Sequence, residues 1–175
     1  ATNDLLSMQA DPLLESDAVL VTGSWPAATT AVDADRPIQV VVTSASARVL
    51  HWSVGETQTI TTVNQTQQPI ILVGTIRPRE PASDYWQLDT NRALAGEVPS
   101  PDGNGGTFYG TMWIAADSWP DIGTAFDGQT IDSWFGLSAH GITASALPGT
   151  VADLQRYLAV ARPVLASNSQ QELRF

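Results

Sequence analysis

The sequence predicts an α+β domain: a mixed or antiparallel β-sheet with a C-terminal amphipathic helix and one or two short helices on one face. Three observations predict it. Runs rich in Val, Ile and Thr recur through the first two-thirds of the chain, as β-branched residues do where they pack on a pleated surface. The clearest helical spacing comes late, at Val151, Leu154, Leu158, Ala161 and Leu165. A hydrophobic share of 43% against 15% charged, over 175 residues, suits one domain with its own core.

Taken in order, Leu5, Leu6, Met8, Leu13 and Leu14 give a weak apolar face and predict a short helix before Pro12. Residues 18–22 form an apolar strand run closed by Gly23 and the Trp25-Pro26 step, and residues 27–36 read as loop. Residues 38–43 are nearly continuous in β-branched character, which predicts a strand buried on both faces. Ser44 is placed to cap a short helix over 45–50. Residues 57–63 and 69–76 read as two strands joined by a polar connection, an antiparallel hairpin. Pro and Gly then forbid long elements over 77–106, except one helical turn around Asp84 to Leu88. Residues 107–115 resume as strand, Asp117 or Ser118 opens a helical turn, and residues 131–139 read as a further strand. Thr150 is the expected N-cap of the last helix, with Asp153 near its positive end and Pro163 ending it. No internal repeat or linker divides the chain, so residues 1–175 are expected to be a single domain.

Composition removes much chemistry. Eight Arg and no Lys face eighteen Asp and Glu, a formal charge of −10 that argues against nucleic-acid partners and polybasic membrane docking. With no Cys, a thiol nucleophile, a disulfide framework and a Cys-ligated metal are excluded. Two His, His51 and His140, cannot supply a three-His metal site. Neither a cofactor nor a metal is expected. Low charge with abundant Thr and Trp suits work outside the cytoplasm. No apolar run approaches the roughly 18 residues of a membrane span, and the start has no basic, apolar leader. The two ends read as cut from something larger.

Candidate catalytic groups each have a plainer reading. Asp84, Asp89, Asp117, Asp121, Asp127 and Asp132 lie near aromatics, as a glycosidase acid pair would. Asp in such positions more commonly serves turns and caps. Ser138 and His140 lie two apart without a nucleophile elbow, and the Gly103–Gly106 stretch lacks the Lys and helix of a phosphate loop. The Asp33-Ala34-Asp35-Arg36 stretch reads as a solvated loop rather than a calcium loop. The six Trp serve as core or as contact platforms. Trp25 and the Tyr85-Trp86 pair, in Pro-containing loops, are the candidate partner contacts.

One ordered set of features resembles a known family. Residues 37–50 (PIQVVVTSASARVL) are followed by Val54-Gly55-Glu56-Thr57 and then residues 70–86 (IILVGTIRPREPASDYW). Together with Val21-Thr22-Gly23-Ser24-Trp25-Pro26, this resembles the extracytoplasmic domain of FtsX-like, MacB-type ABC transporter permeases, the large actinobacterial ones in particular. The likeness covers roughly residues 19–90, and the Gly74-Thr75 to Tyr85-Trp86 run is its most specific part. Glu56 stands where Asp is usual, His51-Trp52 replaces ordinary polar residues, and Ser83-Asp84 replaces Asp-Pro.

The resemblance implies a non-catalytic domain between the first two membrane helices of a permease, on the outer face of a bacterial cell membrane. Its partners would be those helices, a separate ATPase subunit or domain, and an extracytoplasmic protein or lipid. It would couple ATP hydrolysis inside to export, lipoprotein or lipid handling, or partner control outside. A secreted carbohydrate-binding or adhesion module is the alternative, and a hydrolase built on the Asp cluster a distant third.

Overall fold

Ile38–Thr43 forms the central strand of the sheet, and every one of its residues but Gln39 is buried. This computed structural model describes residues 5–62, 65–87, 90–99, 106–126, 143 and 145–161. The chain divides into two compact units, Ala1–Gln129 and Thr130–Phe175.

The first unit holds a seven-stranded mixed sheet: β1 (Leu5–Ala10), β2 (Ala18–Gly23), β3 (Ile38–Thr43), β4 (Thr57–Thr61), β5 (Gln67–Pro78), β6 (Gly96–Pro99) and β7 (Gly106–Ile114). The order is β1-β7-β3-β5-β2. β1 runs parallel to β7 and β3 parallel to β5, while β2 and β4 are antiparallel to β5 and β6 is antiparallel to β7. The long β5 offers residues 67–71 to β4 and 74–78 to β2. The expected β4–β5 hairpin is therefore present, within a sheet that is mixed as predicted.

Short helices cover both faces: α1 (Leu14–Asp17), α2 (Ser44–Val49), α3 (Asp84–Gln87), α4 (Thr90–Ala93) and α5 (Trp119–Ile122), the last preceded by a 3-10 turn over Ala116–Ser118. One layer packs Ile38, Val40, Val42, Ile70, Leu72, Met112 and Ile114 against Ala47 of α2, Trp52 and Ile122 of α5. The opposite layer packs Val41, Ile76 and Trp113 against Leu14 of α1, Ala18 and Trp86 of α3. The short helices expected on one face are thus α2 and α5, and the other face carries more.

Two local expectations are corrected. Residues 5–10 are a strand, not a helix. Leu6, Met8 and Ala10 alternate onto the first layer while Ser7 and Gln9 point away to hydrogen bonds. A period of two beside a doublet of Leu imitates a helical face. The cap of α2 is Thr43 rather than Ser44: its hydroxyl accepts from the Ser46 amide at 3.1 Å and donates to the Ala93 carbonyl at 2.7 Å.

Phase is reset at two bulges. The β3–β5 register slips between Val40 and Val41, and the β2–β5 register between Leu20 and Thr22. Gly23 and Gly74 face each other beyond these slips. A Cβ on Gly74 would lie 2.4 Å from the Ser24 carbonyl oxygen, and one on Gly23 2.0 Å from that of Val73. Only glycine permits this approach.

In the second unit α6 spans Leu147–Ala161, starting before the expected Thr150. Pro148 fits its first turn, where an amide proton has no partner to lose. Thr143 receives the Ala146 and Leu147 amides, and the Thr150 hydroxyl donates back to the Ala146 carbonyl from within the helix. Val151, the first member of the expected buried stripe, is 38% exposed. The side chains of Leu154 and Leu158, the predicted strand over 131–139, Pro163 and the last residues lie outside the described set.

Candidate functional site

The run from Gly74 to Trp86 leaves the sheet as the end of β5 and turns over Pro78 and Pro81 into α3. Arg77, Glu80 and Asp84 are exposed, while Arg79 and Trp86 bond back to the α1–β2 junction. The Arg79 amide and the Trp86 indole Nε1 both donate to the Asp17 carbonyl, each at 2.9 Å. Arg79 Nε donates to the Ser16 carbonyl at 2.8 Å and Nη2 to that of Ala18 at 3.1 Å. The C-terminal carbonyls of α1, which no helical amide can reach, are satisfied by one arginine and one tryptophan.

Trp86 is 2% exposed, set edge-on to Tyr85 at 5.0 Å and to Trp113 at 5.8 Å between ring centres. It is a core residue and offers no surface to a partner. Tyr85 is half-buried, and its hydroxyl donates to Asp11 Oδ2 at 2.8 Å. Burial first, and this bond to Asp11 second, push the phenol well above the ordinary tyrosine range. Arg92, 8% exposed, lies 4.3 Å from the Tyr85 ring centre. It donates to the Tyr85 carbonyl at 3.1 Å, to Gln9 Oε1 at 3.0 Å and to Asp11 Oδ2 at 3.4 Å. These contacts join the end of β1 to α3 and α4. Trp25, partly buried, packs on the margin of the same layer. Of the three expected contact residues, Tyr85 and Trp25 reach the surface in part.

Among the described residues the other candidates do not assemble. Asp84, Asp117 and Asp121 are exposed, each in the first turn of a short helix. Asp33 accepts the Asp35 amide at 2.9 Å and pairs with Arg36 in a local turn, as the solvated-loop reading expects. Among the described residues no three His, Asp or Glu side chains could hold a metal. Asp89, Asp127, Asp132, Trp134, Ser138 and His140 lie outside them. Trp52 and Trp113 are buried at 3% and 0% exposure.

A second feature went unread in the sequence. On the α2 face, an open depression of about 560 Å³ is lined by Val21, Thr22, Ser44, Arg48, His51 and Thr75 among others. Its floor is a hydroxyl chain: Ser44 donates to Thr75 at 3.1 Å, and Thr75 meets Thr22 at 2.8 Å. The two bulges bring these threonines to one face. At the rim, α2 ends with the Trp52 amide bonded to the Ala47 carbonyl and the His51 amide to that of Arg48. This pattern needs a left-handed residue where glycine is usual, and His51 fills it at φ 51°. No glycine stands near the helix end, and that was the signal available in the sequence.

No family model, curated protein or solved structure matches this chain.

Proposed function

We propose that this chain is a non-catalytic extracytoplasmic domain of an FtsX-like, MacB-type ABC transporter permease. In this reading it couples cytoplasmic ATP hydrolysis to export, lipoprotein or lipid handling, or partner control on the outer face of the cell membrane. One observation supports the reading above others. Three of the four stretches that carry the resemblance are spatial neighbours: β2, β3 with α2, and β5 with α3 build the middle and one side of a single sheet. The most specific stretch is a clamp, since Arg79 and Trp86 fasten β5 to the α1–β2 junction. A domain moved by membrane helices must transmit displacement without bending internally, and such fastening suits that task. The helices and the ATPase would be the direct partners, with Tyr85 and Trp25 as candidate contacts for a protein or lipid outside.

The parent gene tests this cheaply. Apolar segments of about 20 residues on both sides of this region are expected. A stop codon on one side and a cleavable leader on the other would contradict the proposal.

A further inference from the structure

We infer that the open depression beside α2 binds a phosphoryl group, borne by a small soluble molecule or by a headgroup. This does not rest on the permease reading, because it uses different residues and is read by a different experiment. The chain carries −10 overall, yet the lining residues include Arg48 and His51 and no carboxylate; Glu56 Oε2 stands beside them, accepting the Ser53 amide at 3.0 Å. Arg36, Arg92 and Arg156 each have an acidic partner, whereas Arg48, like Arg77 and Arg79, has none among the described residues. Its Nε donates to the Ser44 carbonyl at 3.2 Å, and Nη1 and Nη2 form no bond among the described residues.

The hydroxyls of the floor are linked. The Ser44 proton is shared between Thr75 Oγ1 at 3.1 Å and the Ile76 carbonyl at 3.3 Å. The Thr75 and Thr22 hydroxyls lie 2.8 Å apart, and either can donate to the other. Thr22 is exposed at the lip of the depression. The polar groups of the lining that a ligand can meet are a guanidinium from α2, an imidazole from the turn after it and a hydroxyl from β2, which donates outward when Thr75 donates to it. A phosphoryl group offers three acceptor oxygens to these three groups, where a carboxylate offers two.

His51 gives the independent sign. A left-handed non-glycine residue carries backbone strain that glycine would not; Gln65 shares the conformation at φ 60°, and of the two His51 is the one that lines the depression. The helix end itself asks for no imidazole: Trp52 and Ala47 supply the apolar contact that accompanies this kind of terminus.

The test is an amide NMR titration of the 175-residue chain with inorganic phosphate, with acetate at equal ionic strength as comparison. Sedimentation with phosphatidylglycerol vesicles is the second arm. Saturable shifts at Arg48, His51 and Ser53 with phosphate support a soluble ligand, and binding to vesicles alone supports a headgroup. Arg48→Gln should weaken whichever binding is seen by about tenfold. His51→Gly should weaken it too while raising the melting temperature, a pairing that a purely structural His51 would not give. No saturable response in either arm, an equal response to acetate, or unchanged binding in both variants overturns the inference.

Discussion

Trp86 sends its indole N–H to the Asp17 carbonyl and stands in T-shaped contact with two other aromatics, so its chemistry is consumed inside the fold. Tyr85, its neighbour, differs by standing partly in solvent with its hydroxyl on Asp11. That bond and the burial around it favour the neutral phenol, which raises the folded-state value above the unfolded one of about 10. The sign follows. The stabilisation is complete below about pH 10 and is lost as the pH rises beyond it, because only the unfolded chain then releases the proton easily. Thermal melts between about pH 9 and pH 11.5 should therefore show a steeper fall for the native chain than for Tyr85→Phe. Parallel curves would mean that the phenol is not held neutral by the fold. The sequence placed Tyr85 and Trp86 together as candidate contacts. It could not separate them, because adjacent positions in a short helical turn point in different directions, and only packing decides which enters the core.

At the scale of elements, legibility followed how completely a run was buried. β3 was plain, because an interior strand needs apolar side chains on both faces, and Ile38 to Thr43 provides them. The β4–β5 hairpin was plain because its polar connection is local. β1 was misread as a helix, since its alternation spans only six residues and sits beside a Leu doublet. The bulges that set Thr22 beside Thr75 left no mark in the pattern, and the depression they create was invisible with them. Glycine carried part of that information. Gly74→Ala should cost about 3 kcal/mol, because the new methyl meets the Ser24 carbonyl, which is backbone and cannot swing aside. In a chain of this length that is a fall of roughly 6–12 °C in melting temperature by circular dichroism. A change within 2 °C, about 0.5–1 kcal/mol, would mean that β2 and β5 can separate without penalty.

For the whole molecule, the α+β class with a mixed sheet was legible from composition and periodicity, while strand order was not. The parallel pairing of β1 with β7 joins residues about a hundred positions apart, and nothing in either strand names its partner. The same limit applies to function. The Gly74-to-Trp86 run was recognisable as a pattern, and its role as a clamp emerged only when Arg79 and Trp86 were seen on the carbonyls of residues 16–18. We propose that this clamped sheet works outside the membrane as part of a permease. Because the chain has no Cys, an Asp35→Cys substitution in its exposed loop adds a thiol whose labelling is read as the gain over the unsubstituted parent protein. The decisive measurement is labelling of that variant, in its full-length parent protein, by a membrane-impermeant maleimide on intact cells. Labelling before lysis is expected, on a protein that stays in the membrane pellet after alkaline washing. Labelling only after lysis, or a protein released into the soluble fraction, would contradict it.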